Sequence, residues 1–186
     1  MKRVLVLMAE GFEETELVVP VDVLRRGGVE VVLCSIADDG SWDVEGAHGI
    51  SVSADSTLDE VSADGFDAVL LPGGGPGTAR LEADERVLEI VWTYASKGRI
   101  VAAICAAPRV LKRAGILKGR RITSFPAEQA KLDDGSLTYL QDRVVVDGNL
   151  ITSRGAGTAA EFGLALLEAL EGKEAAEKVR VSALFA

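Results

Sequence analysis

Short continuous apolar runs alternate along the chain with stretches in which apolar residues recur every three or four positions. Residues 4–8 (VLVLM) form the first run, which predicts a strand buried on both faces. From 14 to 26, Leu17, Val18, Val21 and Leu24 fall on one helical stripe, and Gly27-Gly28 ends it. Pro20 lies inside that stripe and should kink the helix or sit near its first turns. Residues 29–36 are rich in β-branched side chains and predict a second strand. Residues 42–53 predict a small hairpin or irregular excursion turning near Gly46 and Gly49. Another buried strand is expected at 67–71, after which Pro72-Gly73-Gly74-Gly75-Pro76-Gly77 breaks the chain. A helix over 84–97, a strand over 99–104, a helix over 108–114 and a strand over 120–124 follow. Residues 144–151 read as a hairpin with Asp147-Gly148 at its turn. Thr158 and Glu161 have the spacing of a capping box opening a helix to about residue 170. The alternation predicts an α/β protein with a parallel sheet covered by helices on both faces. No repeat, low-complexity tract or linker interrupts it, so residues 1–186 are expected to form one domain.

Composition narrows the setting. Hydrophobic residues make up 48% of the chain, enough for a core without disulfides or structural metal. The two cysteines, Cys34 and Cys105, are far apart and form neither a disulfide framework nor a metal-ligand cluster, which favours a reducing, cytoplasmic setting. The start Met1-Lys2-Arg3 resembles that of a secretion signal, but Glu10, Glu13, Glu14 and Glu16 follow at once, so a buried first strand is the better reading. No stretch is long and apolar enough to span a bilayer. The formal net charge of −9 disfavours nucleic acid as a partner, and the short basic clusters at 25–26 and 118–121 read as solvated surface.

Three segments carry candidate chemistry. In Ile100-Val101-Ala102-Ala103-Ile104-Cys105-Ala106-Ala107-Pro108, a buried strand ends at a cysteine and a helix starts within about three residues. Such a turn lifts the thiol above the carboxyl edge of the sheet, where open α/β folds place their sites. The alanines leave room for the turn, and the helix N-terminus is expected to favour the thiolate and lower its pKa. A small buried hydrophobe is the alternative reading of Cys105. The run Leu71-Pro72-Gly73-Gly74-Gly75 also follows a buried strand, and its glycines would let backbone N–H groups approach an oxyanion, or would simply make a sharp turn. Its spacing fits neither a phosphate-binding P-loop nor a dinucleotide fingerprint. In Gly11-Phe12-Glu13-Glu14-Thr15-Glu16, the carboxylates complement a helix dipole. If one points inward at a thiolate, burial and like charge would raise its pKa and suit it to proton transfer. The residues alone do not choose which glutamate does so. The single histidine, His48, sits in the excursion after the second strand and reads as a surface or interface residue, which disfavours a Cys-His dyad. Cys34 reads as core packing, with oxidation under stress as the secondary reading, and Trp42, Trp92 and Tyr94 read as packing or interface residues.

Together, AEGFEETE (9–16), PVDVLRR (20–26), LPGG (71–74), AAICAAP (102–108) and TSRGAGT (152–158) resemble the ThiJ/PfpI superfamily, most closely its DJ-1 and YajL-type branch. The blocks run in order over nearly the whole chain. The resemblance implies a flavodoxin-like three-layer sandwich with a mainly parallel central sheet, assembled as a homodimer. It implies that Cys105 is the nucleophilic, redox-sensitive cysteine and Glu16 its protonated carboxyl partner. It also implies that Gly73, Gly74 and Ala106 present N–H groups to a substrate oxygen. No metal or organic cofactor is implied. The activities it implies are cofactor-free chemistry on 2-oxoaldehydes or their glycated adducts (glyoxalase III or deglycase type), oxidative-stress sensing through Cys105, or chaperoning. Proteolysis or amide hydrolysis belongs to more distant members. The chain departs from the pattern at three positions. Phe125 stands where most relatives of the branch carry a histidine, which implies slow chemistry or confinement to small apolar substrates. His48 lies near a position where relatives often have an interface arginine, and Ala156 replaces a proline common beside the site.

Overall fold

The computed structural model describes residues 1–37 and 40–185. In chain order the elements are β1 (Arg3–Met8), α1 (Glu14–Arg26), β2 (Glu30–Ser35), β3 (Asp43–Glu45), β4 (Ser51–Ser53), β5 (Ser56–Thr57), β6 (Ala68–Leu71), α2 (Gly75–Ala83), α3 (Glu85–Ser96), β7 (Ile100–Ile104), α4 (Pro108–Arg113), β8 (Arg121–Ile122), α5 (Gln129–Leu132), β9 (Thr138–Tyr139), β10 (Val144–Asp147), β11 (Leu150–Ser153), α6 (Ala159–Glu171) and α7 (Lys173–Ser182).

The central sheet has the order β10-β11-β7-β6-β1-β2-β5 and is parallel except for β10 against β11. Its central strands β6 and β7 are apolar throughout, and β1 is so after Arg3, because both faces are covered. Along β1, Val4, Val6 and Met8 enter the core that holds Leu17 and Leu24 of α1 and Phe162, Leu166 and Leu167 of α6. Leu5 and Leu7 point the other way, into the core with Val87, Val91 and Tyr94 of α3 and Val110 and Leu111 of α4. That alternation is the period of two of an extended strand. The predicted three-layer α/β arrangement is therefore present.

Pro20 sits well inside α1, whose bounds match the stripe read from the sequence. The 42–53 excursion is the antiparallel β3–β4 hairpin. Four features differ from expectation. The Gly-Pro-Gly run does not simply break the chain: α2 starts at Gly75, with proline in its first turn, where a missing N–H costs nothing. Only Arg121 and Ile122 of the 120–124 segment form a strand, which pairs with β9 in a separate two-stranded sheet. The helix α7, six of whose ten residues are polar or charged, has no counterpart in the apolar stripe reading. The capping box also fails to form. Thr158 Oγ1 instead meets Gly155 O at 2.8 Å and Ser153 Oγ at 2.7 Å, while Glu161 pairs with Arg143 at 2.8 Å.

The chain leaves β1 toward β2 on one side and later places β6 on the other, so the winding reverses at β1. Crevices above the carboxyl ends of strands at such a reversal are where open sheets bind ligands. The loops after β1, β6 and β7 meet there. No helix among the described residues is long and apolar enough to cross a membrane.

Candidate active site

The chain turns sharply after β7. Cys105 has φ 64°, a left-handed conformation that strains a residue bearing a Cβ. Its backbone is held on both sides: its N–H donates to Ser153 O at 2.9 Å, and its carbonyl accepts from Phe125 N at 2.9 Å. Ala106 and Ala107 are buried behind it, and α4 begins at Pro108. The thiol itself is half-buried.

The three glutamates around the start of α1 have separate tasks. Glu13 is the N-cap, its Oε2 accepting from Glu16 N at 2.7 Å. Glu14 is gripped by the hairpin: His48 N donates to its Oε1 at 2.6 Å, and His48 Nδ1 meets its Oε2 at 2.7 Å. Glu16 turns inward, is 1% exposed, and faces Cys105. Its Oε2 is buried without a hydrogen-bond partner among the described residues.

Gly73 and Gly74 make this meeting possible. A side-chain carbon on Gly73 would overlap Glu16 Oε2 and lie 2.6 Å from Cys105 Cβ. Gly74 has φ 90°, and a carbon there would lie 2.6 Å from Glu13 N. Gly73 O in turn accepts from Glu13 N at 3.0 Å, so the glycine loop is tied to the start of α1.

The N–H groups divide between the two reactive side chains. Those of Gly74 and Ala106 act on Cys105, and those of Gly73 and Ala156 act on Glu16. Burial, and secondarily the Glu13 charge, pushes the Glu16 carboxyl up to about 7 against the opposing pull of Cys105.

Burial, then the facing carboxylate, pushes the Cys105 thiol up to about 12, which corrects the expectation of a lowered value. The Gly74 and Ala106 N–H groups pull it down but are outweighed. Two buried groups of like charge cannot ionise together cheaply, so ionising one holds the proton on the other. Between about 7 and about 12 the pair shares one proton and carries one negative charge.

Phe125 stands at the rim, 47% exposed. Its ring and the Glu16 carboxyl flank the same bare carbon, that of Gly155. No feature of the residue pattern singled out Gly155. Cys34 lies fully buried in β2, and burial pushes its thiol up to about 12. Glu13, Glu14 and His48 bring ligand atoms within 4.8 Å of one another, a set that could hold a metal ion, but their atoms already cap α1 and clamp the hairpin. A cavity of about 850 Å³ opens over the ends of β1 and β2, lined by Glu10, Ser35, Asp43, Arg80 and Arg86; neither Cys105 nor Glu16 lines it.

Comparison with known proteins agrees with this fold. The family described as DJ-1/PfpI matches residues 2–169. Protein dj-1beta of Drosophila melanogaster is 40% identical over 186 residues, covering 100% of this chain and 98% of that one. Its crystal structure superposes with a TM-score of 0.94 over the same shares of the two chains. The structure titled Toxoplasma gondii DJ-1, oxidized, is 34% identical with a TM-score of 0.94, covering 100% of both chains. A Pyrococcus abyssi protein named a deglycase is 39% identical over 152 residues, 82% of this chain and 89% of that one. The chain belongs to the DJ-1/PfpI family.

Proposed function

We propose that this protein is a cysteine-dependent, cofactor-free enzyme that converts 2-oxoaldehydes, or their adducts with amines, into 2-hydroxy acids. The observation that carries the reading is the buried Glu16 carboxyl, one oxygen unpartnered, facing the Cys105 thiol at the reversal of the sheet. A group so placed can move a proton at a carbon bonded to sulfur. The relative named a deglycase supports the same class of chemistry.

The ionised Glu16 first takes the thiol proton, so that in the reactive form of the pair sulfur holds the charge and Glu16 the proton. Sulfur attacks the aldehyde carbon and forms a C–S bond, while Glu16 gives its proton to the aldehyde oxygen. The product is a hemithioacetal, and Gly74 and Ala106 N–H groups stabilise the charge that passes through sulfur and oxygen. The Glu16 carboxylate then removes the remaining hydrogen on that carbon as a proton. The electron pair moves to the neighbouring carbonyl, giving an enediolate. Glu16 returns the proton to the second carbon, and the hydroxyl proton on the first carbon's oxygen passes to the second oxygen. The first carbon has lost two electrons and the second has gained two, so no outside oxidant is needed. Water cleaves the resulting thioester, restoring the pair and releasing the hydroxy acid. An amine adduct would enter by displacement at the same carbon: the C–S bond forms, the C–N bond breaks, and the amine leaves with the proton from Glu16.

The test is lactate formation from methylglyoxal without glutathione, in buffer free of amines and thiols. Turnover in the wild type, lost in Cys105→Ser and Glu16→Gln, is expected. Rates indistinguishable from those variants would sink the proposal.

A second reading is supported by the N–H groups around the sulfur, which would equally hold the oxygens of a Cys105 sulfinate with Glu16 donating to one of them. One structural relative carries the word oxidized in its title. On that reading Cys105 is consumed by oxidation, and the output is a changed dimer or a chaperone surface. Mass spectrometry after peroxide treatment separates consumption from turnover. Peptide hydrolysis ranks last. We also propose a homodimer through Val18 and Ile50, exposed apolar residues flanking the clamped Glu14, with light scattering of the eluted protein as its test.

A further inference from the structure

We infer that Phe125 and Gly155 form the wall that selects the substrate's side group, favouring 2-oxoaldehydes that carry an aryl or bulky apolar group over glyoxal and over charged adducts. This rests on the reaction proposed for Cys105 and Glu16.

The first observation is an exposed ring that is firmly held. Phe125 N donates to the carbonyl of Cys105 itself at 2.9 Å. Its own carbonyl accepts from Ser124 Oγ at 3.0 Å, and that hydroxyl meets Tyr139 OH at 2.9 Å. The ring is therefore indexed to the reactive turn, although 47% of the residue remains open to solvent. An exposed aromatic side chain with a fixed backbone is a ready apolar contact.

The second observation is a glycine that the fold does not require. Gly155 has φ 165°, an extended conformation open to any residue. A side-chain carbon there would meet Phe125 Cδ2 at 3.5 Å and Glu16 Oε1 at 3.7 Å, both ordinary contacts. Gly73, by contrast, admits no carbon without overlap. Nothing in the packing demands the bare Cα at 155; what its bareness provides is space between the ring and the carboxyl.

The chemistry directs the substrate into that space. The hydrogen that Glu16 removes must face its carboxyl, and the side group sits on the adjacent carbon. With Glu16 and Phe125 on the same side of Gly155, that group reaches the ring. An apolar group gains by covering the ring and loses nothing, because phenyl offers no hydrogen bond. A charged sugar or nucleotide adduct would be desolvated there without a partner.

The experiment measures kcat and KM for phenylglyoxal, methylglyoxal and glyoxal, following mandelate, lactate and glycolate, in the wild type, Phe125→Ala and Gly155→Ala. The ratio of kcat/KM for phenylglyoxal to that for glyoxal is expected to fall on the order of tenfold in each variant, mainly through KM. Ratios unmoved in both variants, with turnover intact, overturn this inference alone. No turnover of any of the three aldehydes by the wild type overturns the reaction itself and this inference with it.

Discussion

Glu16 and Cys105 face one another across the bare Cα of Gly73, where a side-chain carbon would overlap Glu16 Oε2 and lie 2.6 Å from Cys105 Cβ. They come from distant segments: Glu16 lies in the first turn of α1, and Cys105 directly follows β7. The glycine is the spacer that sets their separation. Gly73→Ala should therefore do more than overpack the site. Stability should fall by roughly 1–3 kcal/mol in urea unfolding, and turnover should fall further than stability explains, since the pair is forced apart. A variant as active and as stable as the wild type would show that the separation is not critical.

The shared proton sets a pH dependence. Below about 7 both groups of the pair hold protons and sulfur is not nucleophilic; above it the pair is singly protonated. For the wild type, kcat/KM should rise with pH through about 7 and then level off. Cys105 is still present in Glu16→Gln, but the inflection near 7 should vanish. A profile in which both proteins share that inflection would assign it to another group.

The same carboxyl links pH to folding. Its pKa is raised in the fold from 4.5 to about 7, so ionising it is costlier in the folded chain than in the unfolded one. Its contribution to stability is thus fully present below the unfolded value and is lost as pH rises through about 7. Relative to Glu16→Gln, the wild type should lose on the order of 2–3 kcal/mol between about pH 5 and about pH 8. Parallel stability curves for the two proteins would contradict this.

The hairpin clamp should report on Glu14 more than on His48. Glu14 is buried and accepts from two backbone N–H groups and the imidazole, while the His48 side chain is 69% exposed. The side-chain hydrogen bond to Glu14 raises the His48 pKa, and although burial opposes it, the His48 contacts hold the Glu14 carboxyl below its usual range. Glu14→Ala should cost about 1–3 kcal/mol, because it leaves the His48 N–H without its partner. His48→Ala should cost less. In an NMR titration, His48 should titrate above its ordinary value in the wild type and return toward it in Glu14→Gln.

Cys34 should stay silent. Both thiols are pushed up to about 12, but Cys34 is fully buried and Cys105 only half-buried, so a thiol reagent applied to the native protein should label Cys105 and not Cys34. Cys34→Ala should keep its activity. Peptide mapping that found both cysteines labelled at equal rates would place Cys34 in a more open setting.

The strands and the long helices were legible because their patterns are local. The β1 run is apolar on both faces, and the stripe of α1 has the helical period. The turn at Cys105 was legible for a similar reason, a buried run ending in small residues beside a proline. What stayed hidden depends on contacts between distant segments. Three glutamates within four residues look alike until Gly73, the hairpin and the Glu16 N–H each claim one. The thiol pKa is not legible because the sequence displays the helix start but not the depth of burial or the facing carboxylate. The Gly-Pro-Gly run read as a break because glycine usually punctuates, whereas here proline in the first turn starts α2. Gly155 gave no signal, since its use lies in the room it leaves.

The close approach of α1 to α6 has a temporal side. Gly163 lets α6 come so near that a side-chain carbon there would lie 2.9 Å from Pro20 Cα, and Leu167 would overlap a side chain on Gly27. The helix that carries Glu16 is thus seated against a helix made from the last part of the chain, and Cys105 N is held by Ser153 O. A ribosome emits the cysteine long before it emits those supports. The facing of Glu16 and Cys105 is therefore completed only after residues 153–171 have been made.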